Sequence, residues 1–247
     1  MDVPGTLMVI WRRSACPERR GADSAGLAGA GCVVALLAAR NVTEVVLPDP
    51  AYVPTNVALG AVLIGLARRA GSSWEDLGLD RRHVRRGLTA GAVAASAAVA
   101  GMVLAAALPF SRGVFDDERV PTDASGGERL YQTALRIPVG TAAFEELAFR
   151  GVLLALLRRR LPLRAAVVID SALFGLWHIV PTLATARANG IVGPGRVGLV
   201  VGSVAATTLG GAVFCALRLR GRHLLAPVML HVAFNDTGYL LAWWLRR

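Results

Sequence analysis

Four acidic residues, Glu145, Glu146, Asp170 and Asp236, lie inside apolar stretches of the sequence. A charged side chain within a membrane-spanning segment costs about 2.5 to 3.5 kcal/mol on insertion scales, so each is a candidate functional group. Arg150 follows Glu146 by four residues, which on a helix places both on one face, where they can form an ion pair. Glu145 then points about 100° away and is available for chemistry. A purely structural network of the three is the alternative, and we interpret Asp170 and Asp236 as structural.

Two histidines and an asparagine add to these groups. His178 ends the stretch 174–178 (FGLWH), and His231 begins the stretch 231–235 (HVAFN), which ends at Asn235. His231 and Asn235 are four residues apart and therefore share a helical face. A lone histidine in a membrane helix is more often a packed, hydrogen-bonded residue than a catalyst. Two of them, with an asparagine and a Glu-Glu-Arg cluster, predict a polar cavity.

The grouped side chains meet the needs of peptide hydrolysis. A carboxylate and an imidazole can take a proton from water, and further donors can hold the oxyanion that forms on the attacked carbonyl. Ser171 and Ser203 show no recognisable nucleophile motif, and the zinc-protease pattern His-Glu-x-x-His is absent. Two histidines and a carboxylate could bind zinc, or the same groups could act on water directly, and the spacing leaves both possibilities open.

The elements that carry these residues are predicted to be membrane helices. Of the 247 residues, 54% are hydrophobic and only 18% are charged, and the mean hydropathy is +0.51, whereas a soluble domain has roughly a quarter charged residues. Apolar runs of about 20 residues are long enough to span a bilayer as helices. We therefore predict an all-α, polytopic transmembrane helix bundle of about seven spans. The runs are 25–39, 51–67, 87–110, 130–157, 163–180, 197–217 and 223–245.

The charge distribution supports a membrane protein rather than a nucleic-acid-binding one. The formal charge is +10, and all 27 basic residues are arginines. Most of them lie between the apolar runs, where the positive-inside bias would put them on the cytoplasmic side. The acidic segment 111–129 is expected to be an exposed loop on the opposite side. We predict an integral membrane protein in the cell membrane. It is expected to contact the lipid bilayer and to bind no nucleic acid.

Three stretches of the carboxy-terminal half resemble the characteristic blocks of one enzyme family. They are 145–151 (EELAFRG), 174–178 and 231–235, and their order and rough spacing agree with that family. It is the family of CAAX prenyl proteases and bacteriocin-processing enzymes (CPBP), also called the Abi family, which are intramembrane proteases. We predict a CPBP-like catalytic core in residues 129–247, preceded by variable membrane helices and loops in residues 1–128.

The resemblance implies an intramembrane endopeptidase and a task for each matching residue. Its substrate would be a peptide or protein in or at the membrane. The three tasks are activation of the attacking water, support of the site and stabilisation of the oxyanion. By this resemblance, Glu145 and His178 would activate the water. Glu146 and Arg150 would support the site, and His231 and Asn235 would stabilise the oxyanion.

Metal dependence and the class of function are two further expectations. The family is often classed with metalloproteases, and a metal here would be bound by Glu145, His178 and His231. We predict no cofactor, with zinc as the alternative, because the six matching residues leave no required role for a metal. The alternatives to an enzyme are a non-catalytic membrane immunity or scaffold protein, and a transporter that uses Glu145 and His178 as a proton relay.

Overall fold

The computed structural model describes residues 23–43 and 49–247, and these residues form helices and connecting loops with no strand. Residues 126–158 form one continuous helix, α4, in which the hydrogen-bond register changes several times. The expected all-α helix bundle is therefore confirmed. The other helices are α1 (Asp23–Thr43), α2 (Asp49–Arg69), α3 (Val84–Ala107), α5 (Leu163–Trp177), α6 (Ile179–Ala188), α7 (Gly193–Gly221) and α8 (Leu225–Leu245).

Each of the seven predicted runs corresponds to a helix, with α5 and α6 forming one span. In the described part of the chain, four helical segments are long and apolar enough to cross a membrane by length and composition: 49–69, 81–107, 163–188 and 193–221. Helices α4 and α8 are not among these four, and they carry most of the acidic, histidine and asparagine residues identified above. The polar groups that make these two helices candidates for chemistry also lower their hydropathy.

Two glycines allow α5 and α7 to pack closely. A Cβ atom on Gly175 would lie 2.8 Å from the carbonyl oxygen of Val204, and one on Gly211 would lie 3.0 Å from Cα of Ser171. Small residues at such positions let helix backbones approach each other in a membrane. The close packing brings α7 against the part of α5 that precedes His178.

The helices that precede residue 128 pack against those that follow it. Helix α3 lies along α8, and α2 lies along the first half of α4. The division into residues 1–128 and 129–247 stays a prediction, and residues 1–22 and 44–48 lie outside the described part of the chain.

Helix α4 is irregular on both sides of the two adjacent glutamates. The segments Gln132–Ala143 and Leu147–Leu153 are π-helical, and the short α-helical segment Phe144–Glu146 lies between them. Pro138 lies in the first π-helical segment and has no N–H to donate. Such π-helical segments are rare and often occur at functional sites, because the wider turn redirects the neighbouring side chains.

The arginine-rich end of the bundle is closed by contacts between two loops. The Leu224 N–H donates to the Gly78 carbonyl at 2.8 Å, and Gly78 has a φ of 72°, which favours glycine. Arg222 pairs with Glu75 across the same interface. The hydrogen bond and charge of Arg222 hold the pKa of the Glu75 carboxyl below its ordinary value.

The acidic segment 111–129 at the opposite end is largely exposed, as expected, and is held in place by local contacts. It contains the short 3₁₀ helix Arg112–Phe115. Arg246, just after α8, donates to the carbonyls of Asp117 and Val120, each at 2.8 Å. It also pairs with Glu118 at 2.8 Å. These contacts fix the segment over the carboxy-terminal end of α8.

Candidate active site

Glu146 joins α4 to α8 in the centre of the bundle. Its Oε1 accepts a hydrogen bond from Nδ1 of His231 at 2.9 Å, and Nη1 of Arg150 lies 3.4 Å from the same oxygen. Glu146 and Arg150 are fully buried, and His231 is 5% exposed. The predicted ion pair between residues 146 and 150 is therefore present, and its carboxylate also orients an imidazole.

Arg150 continues the network to α5 and α7. Its Nε lies 3.6 Å from Oδ2 of Asp170, and its guanidinium lies over the Phe174 ring at 3.9 Å from the centroid. Cys215 of α7 donates from Sγ to the same Asp170 oxygen at 3.2 Å. A buried guanidinium needs such partners because an unpaired charge is costly in a low-dielectric interior. Cys215 was not among the candidate residues identified from the sequence.

Glu145 has one paired and one unpaired oxygen. Its Oε1 accepts from Nε1 of Trp177 at 3.1 Å. Its Oε2 is buried, has no hydrogen-bond partner among the described residues, and lies 3.9 Å from Nε2 of His231. This oxygen thus lies next to an imidazole. Trp177 was not identified from the sequence, and the only signal was its position beside His178.

His178 lies at the break between α5 and α6. Its backbone N–H bonds to the Gly175 carbonyl at 3.1 Å, and its ring Nδ1 lies 2.8 Å from the Phe174 carbonyl oxygen. A carbonyl only accepts, so Nδ1 is the donor, and Nε2 of the neutral ring carries the lone pair. Among the described residues, no direct contact joins His178 to Glu145. Trp177 links them, because it precedes His178 in the sequence and its indole donates a hydrogen bond to Glu145.

His231 and Asn235 follow each other by one turn on α8. The His231 ring stacks on Phe214, with the centroids 5.1 Å apart, and its Nδ1 donates to Glu146. A donor role for Nε2 therefore requires the doubly protonated ring. Asn235 is half-buried, and its amide makes no hydrogen bond to the described residues.

Burial changes from one side of the site to the other. Glu146, Arg150 and Asp170 have no exposed surface, whereas His178 and Asn235 are only half-buried. The supporting groups therefore lie in the sealed part of the site, and the site is more open near the two half-buried residues.

The geometry also bears on metal binding. Within residues 23–43 and 49–247, no three His, Cys, Asp or Glu side chains come together as a group that could hold a metal ion. The three ligands considered for zinc, Glu145, His178 and His231, are thus not assembled as a metal site in this part of the chain. Nδ1 of His231 is bound to Glu146, and its Nε2 lies 3.9 Å from Oε2 of Glu145.

Comparison with known proteins gives one family match. Residues 128–236 match the family model described as Rce1-like, type II CAAX prenyl endopeptidase. The match includes all six candidate site residues and excludes α1, α2 and α3. No curated protein and no solved structure matches the chain significantly.

Proposed function

We propose that this protein is an intramembrane endopeptidase that uses Glu145 and His178 to activate water, because residues 128–236 match the family model described as Rce1-like, type II CAAX prenyl endopeptidase. The observation that carries the proposal is the position of Oε2 of Glu145, which is buried, has no hydrogen-bond partner among the described residues and lies 3.9 Å from Nε2 of His231. A buried acceptor without a partner is costly, so it marks a position where water or substrate binds.

The hydrolytic step follows from the arrangement of proton acceptors. Oε2 of Glu145 and Nε2 of His178 can accept a proton from a water molecule as its oxygen attacks the scissile carbonyl carbon. The C–N bond then breaks, and the accepted proton passes to the departing nitrogen. The hydrogen bond from Nδ1 of His178 to the Phe174 carbonyl supports this role, because it keeps the lone pair on Nε2.

The oxyanion needs donors at the attacked carbonyl oxygen, and α8 offers two. The Asn235 amide has no hydrogen-bond partner among residues 23–43 and 49–247 and lies in the more open part of the site. His231 can donate from Nε2 when its ring is doubly protonated, since Nδ1 is held by Glu146. Donors that are fixed before the reaction stabilise developing charge without reorganisation.

Substrate class follows from the family name and from the membrane setting. We propose a peptide or protein substrate in or at the membrane, with a prenylated carboxy-terminal Cys-a-a-X peptide as the first candidate. Helix length and composition support integral membrane localisation.

Cleavage of two quenched fluorescent peptides by the full chain in liposomes tests this function. One peptide carries a farnesylated Cys-a-a-X terminus, and the other has the same sequence with a membrane anchor and no prenyl group. We expect cleavage of at least the farnesylated peptide. Cleavage of the anchored peptide alone would retain the endopeptidase and overturn the prenyl substrate. Absence of cleavage of both, with unchanged termini in proteomes compared with and without the protein, would contradict the endopeptidase itself.

Chelation separates the two ways of activating water. We propose that activity persists in strong chelator and that the purified protein holds no stoichiometric metal, because the three candidate ligands do not form a metal site. A zinc enzyme would instead lose activity, regain it on addition of zinc, and contain about one equivalent of metal. Metal content by mass spectrometry and the rate of peptide cleavage are the two measurements.

A further inference from the structure

Two asparagines from outside the matched segment donate to the backbone of the helices that carry the site. Nδ2 of Asn41, in α1, donates to the Trp177 carbonyl at 2.7 Å. Nδ2 of Asn56, in α2, donates to the Gly140 carbonyl at 2.7 Å. Asn41 is 7% exposed and Asn56 is 2% exposed, so both bonds form away from solvent.

The bond from Asn41 satisfies a carbonyl that the helix itself cannot satisfy. In a continuous α-helix the Trp177 carbonyl would accept from the N–H of residue 181, but residue 181 is proline and has no N–H. The neighbouring carbonyls at the end of α5 are satisfied by His178, through its ring for Phe174 and its backbone for Gly175. Asn41 therefore completes the helix break at which His178 lies.

Trp177 connects Asn41 to Glu145, the carboxylate proposed to activate water. Its carbonyl is held by Asn41, its indole Nε1 donates to Oε1 of Glu145 at 3.1 Å, and the next residue is His178. The Phe149 ring packs edge-on against the indole, with the centroids 5.8 Å apart. Trp177 thus fixes the Glu145 carboxylate through its side chain and His178 through its backbone.

Asn56 makes a parallel contact with α4. Its Oδ1 accepts from Nε of Arg40, which directs its Nδ2 to the Gly140 carbonyl. Gly140 precedes Glu145 by five residues, the span of one π-helical hydrogen bond. A Cβ atom at Gly140 would lie 3.0 Å from the Tyr52 ring, so α2 packs directly on this part of α4.

We infer that helices α1 and α2 are part of the active site, and that Asn41 and Trp177 are positioning residues that hold Glu145 and His178 for reaction. This inference rests on the proposed function for its catalytic consequence. It assigns a task to a part of the chain that the family match does not cover.

Kinetics of the full chain in liposomes, with the quenched peptide that the wild type cleaves, test the positioning role. Asn41→Ala and Trp177→Phe should each lower kcat about 10-fold with little change in KM, because the base is misplaced while the peptide still binds. The double variant should lose about 10-fold rather than about 100-fold, since both changes break one connection. Matched controls are Asn189→Ala, whose amide donates to the Thr185 carbonyl away from the site, and Trp244→Phe on the outer face. Both should keep wild-type kcat.

Thermal unfolding tests the helix break without any substrate. Asn41→Ala should lower the melting temperature by about 5 °C, because the Trp177 carbonyl is left unpaired. In the Pro181→Ala background the same change should lower it much less, since residue 181 then has an N–H for that carbonyl. Equal losses in both backgrounds, or wild-type kcat for Asn41→Ala and Trp177→Phe, would overturn the inference. A wild type that cleaves no peptide would contradict the proposed function, and the unfolding result would still decide whether Asn41 completes the break.

Discussion

Replacing Glu145 with glutamine is expected to lower kcat at least about 10³-fold, while the protein remains folded. Glutamine keeps a side-chain oxygen that can accept from Nε1 of Trp177 but has no basic oxygen to take the proton of water. His178→Ala should cause a similar loss, since it removes the imidazole Nε2. Initial rates of peptide cleavage and melting temperatures in detergent are the measurements.

The matched control is Glu128→Gln, an exposed residue near the start of the same helix. It should keep both the rate and the melting temperature of the wild type. A non-catalytic immunity or scaffold protein would give another pattern, in which Glu145→Gln and His178→Ala lower the amount of folded protein and any phenotype follows that amount. Proton-dependent flux across the membrane that Glu145→Gln abolishes would favour the transporter instead.

The parts of the site that could be predicted from the sequence are those that depend on spacing within one helix. Glu146 and Arg150 are four residues apart, and the structure pairs them. His231 and Asn235 have the same separation on α8. The bundle of membrane helices was predictable for a similar reason, because apolar runs of about 20 residues have few other stable structures.

The parts that could not be predicted depend on contacts between helices distant in sequence. Asn41 and Trp177 are separated by 136 residues, and a single asparagine just after the apolar run 25–39 does not indicate its partner. Pro181 leaves the Trp177 carbonyl without a helical donor, but the sequence does not indicate which side chain satisfies that carbonyl. The π-helical register of α4 was also not predictable, since the apolar run 130–157 is compatible with an ordinary α-helix.

Arg150→Met is expected to destabilise the folded protein by about 3 to 5 kcal/mol, the usual effect of removing one partner of a buried ion pair. Methionine has a similar length and no charge, so Glu146 and Asp170 would lose the cation that lies 3.4 Å and 3.6 Å from their oxygens. The Phe174 ring would also lose the guanidinium packed over it. Unfolding in detergent and the yield of folded protein measure the effect.

A second change separates the charge of Arg150 from its packing. In the double variant Arg150→Met with Asp170→Asn, one of the two uncompensated carboxylates is neutral, so part of the lost stability should return. Asp170→Asn alone should cost less than Arg150→Met, because Glu146 still faces the guanidinium. If Arg150→Met melted like the wild type and only kcat fell, Arg150 would act on the substrate rather than support the site. If the double variant were no more stable than Arg150→Met, the loss would come from packing against Phe174 rather than from unpaired charge.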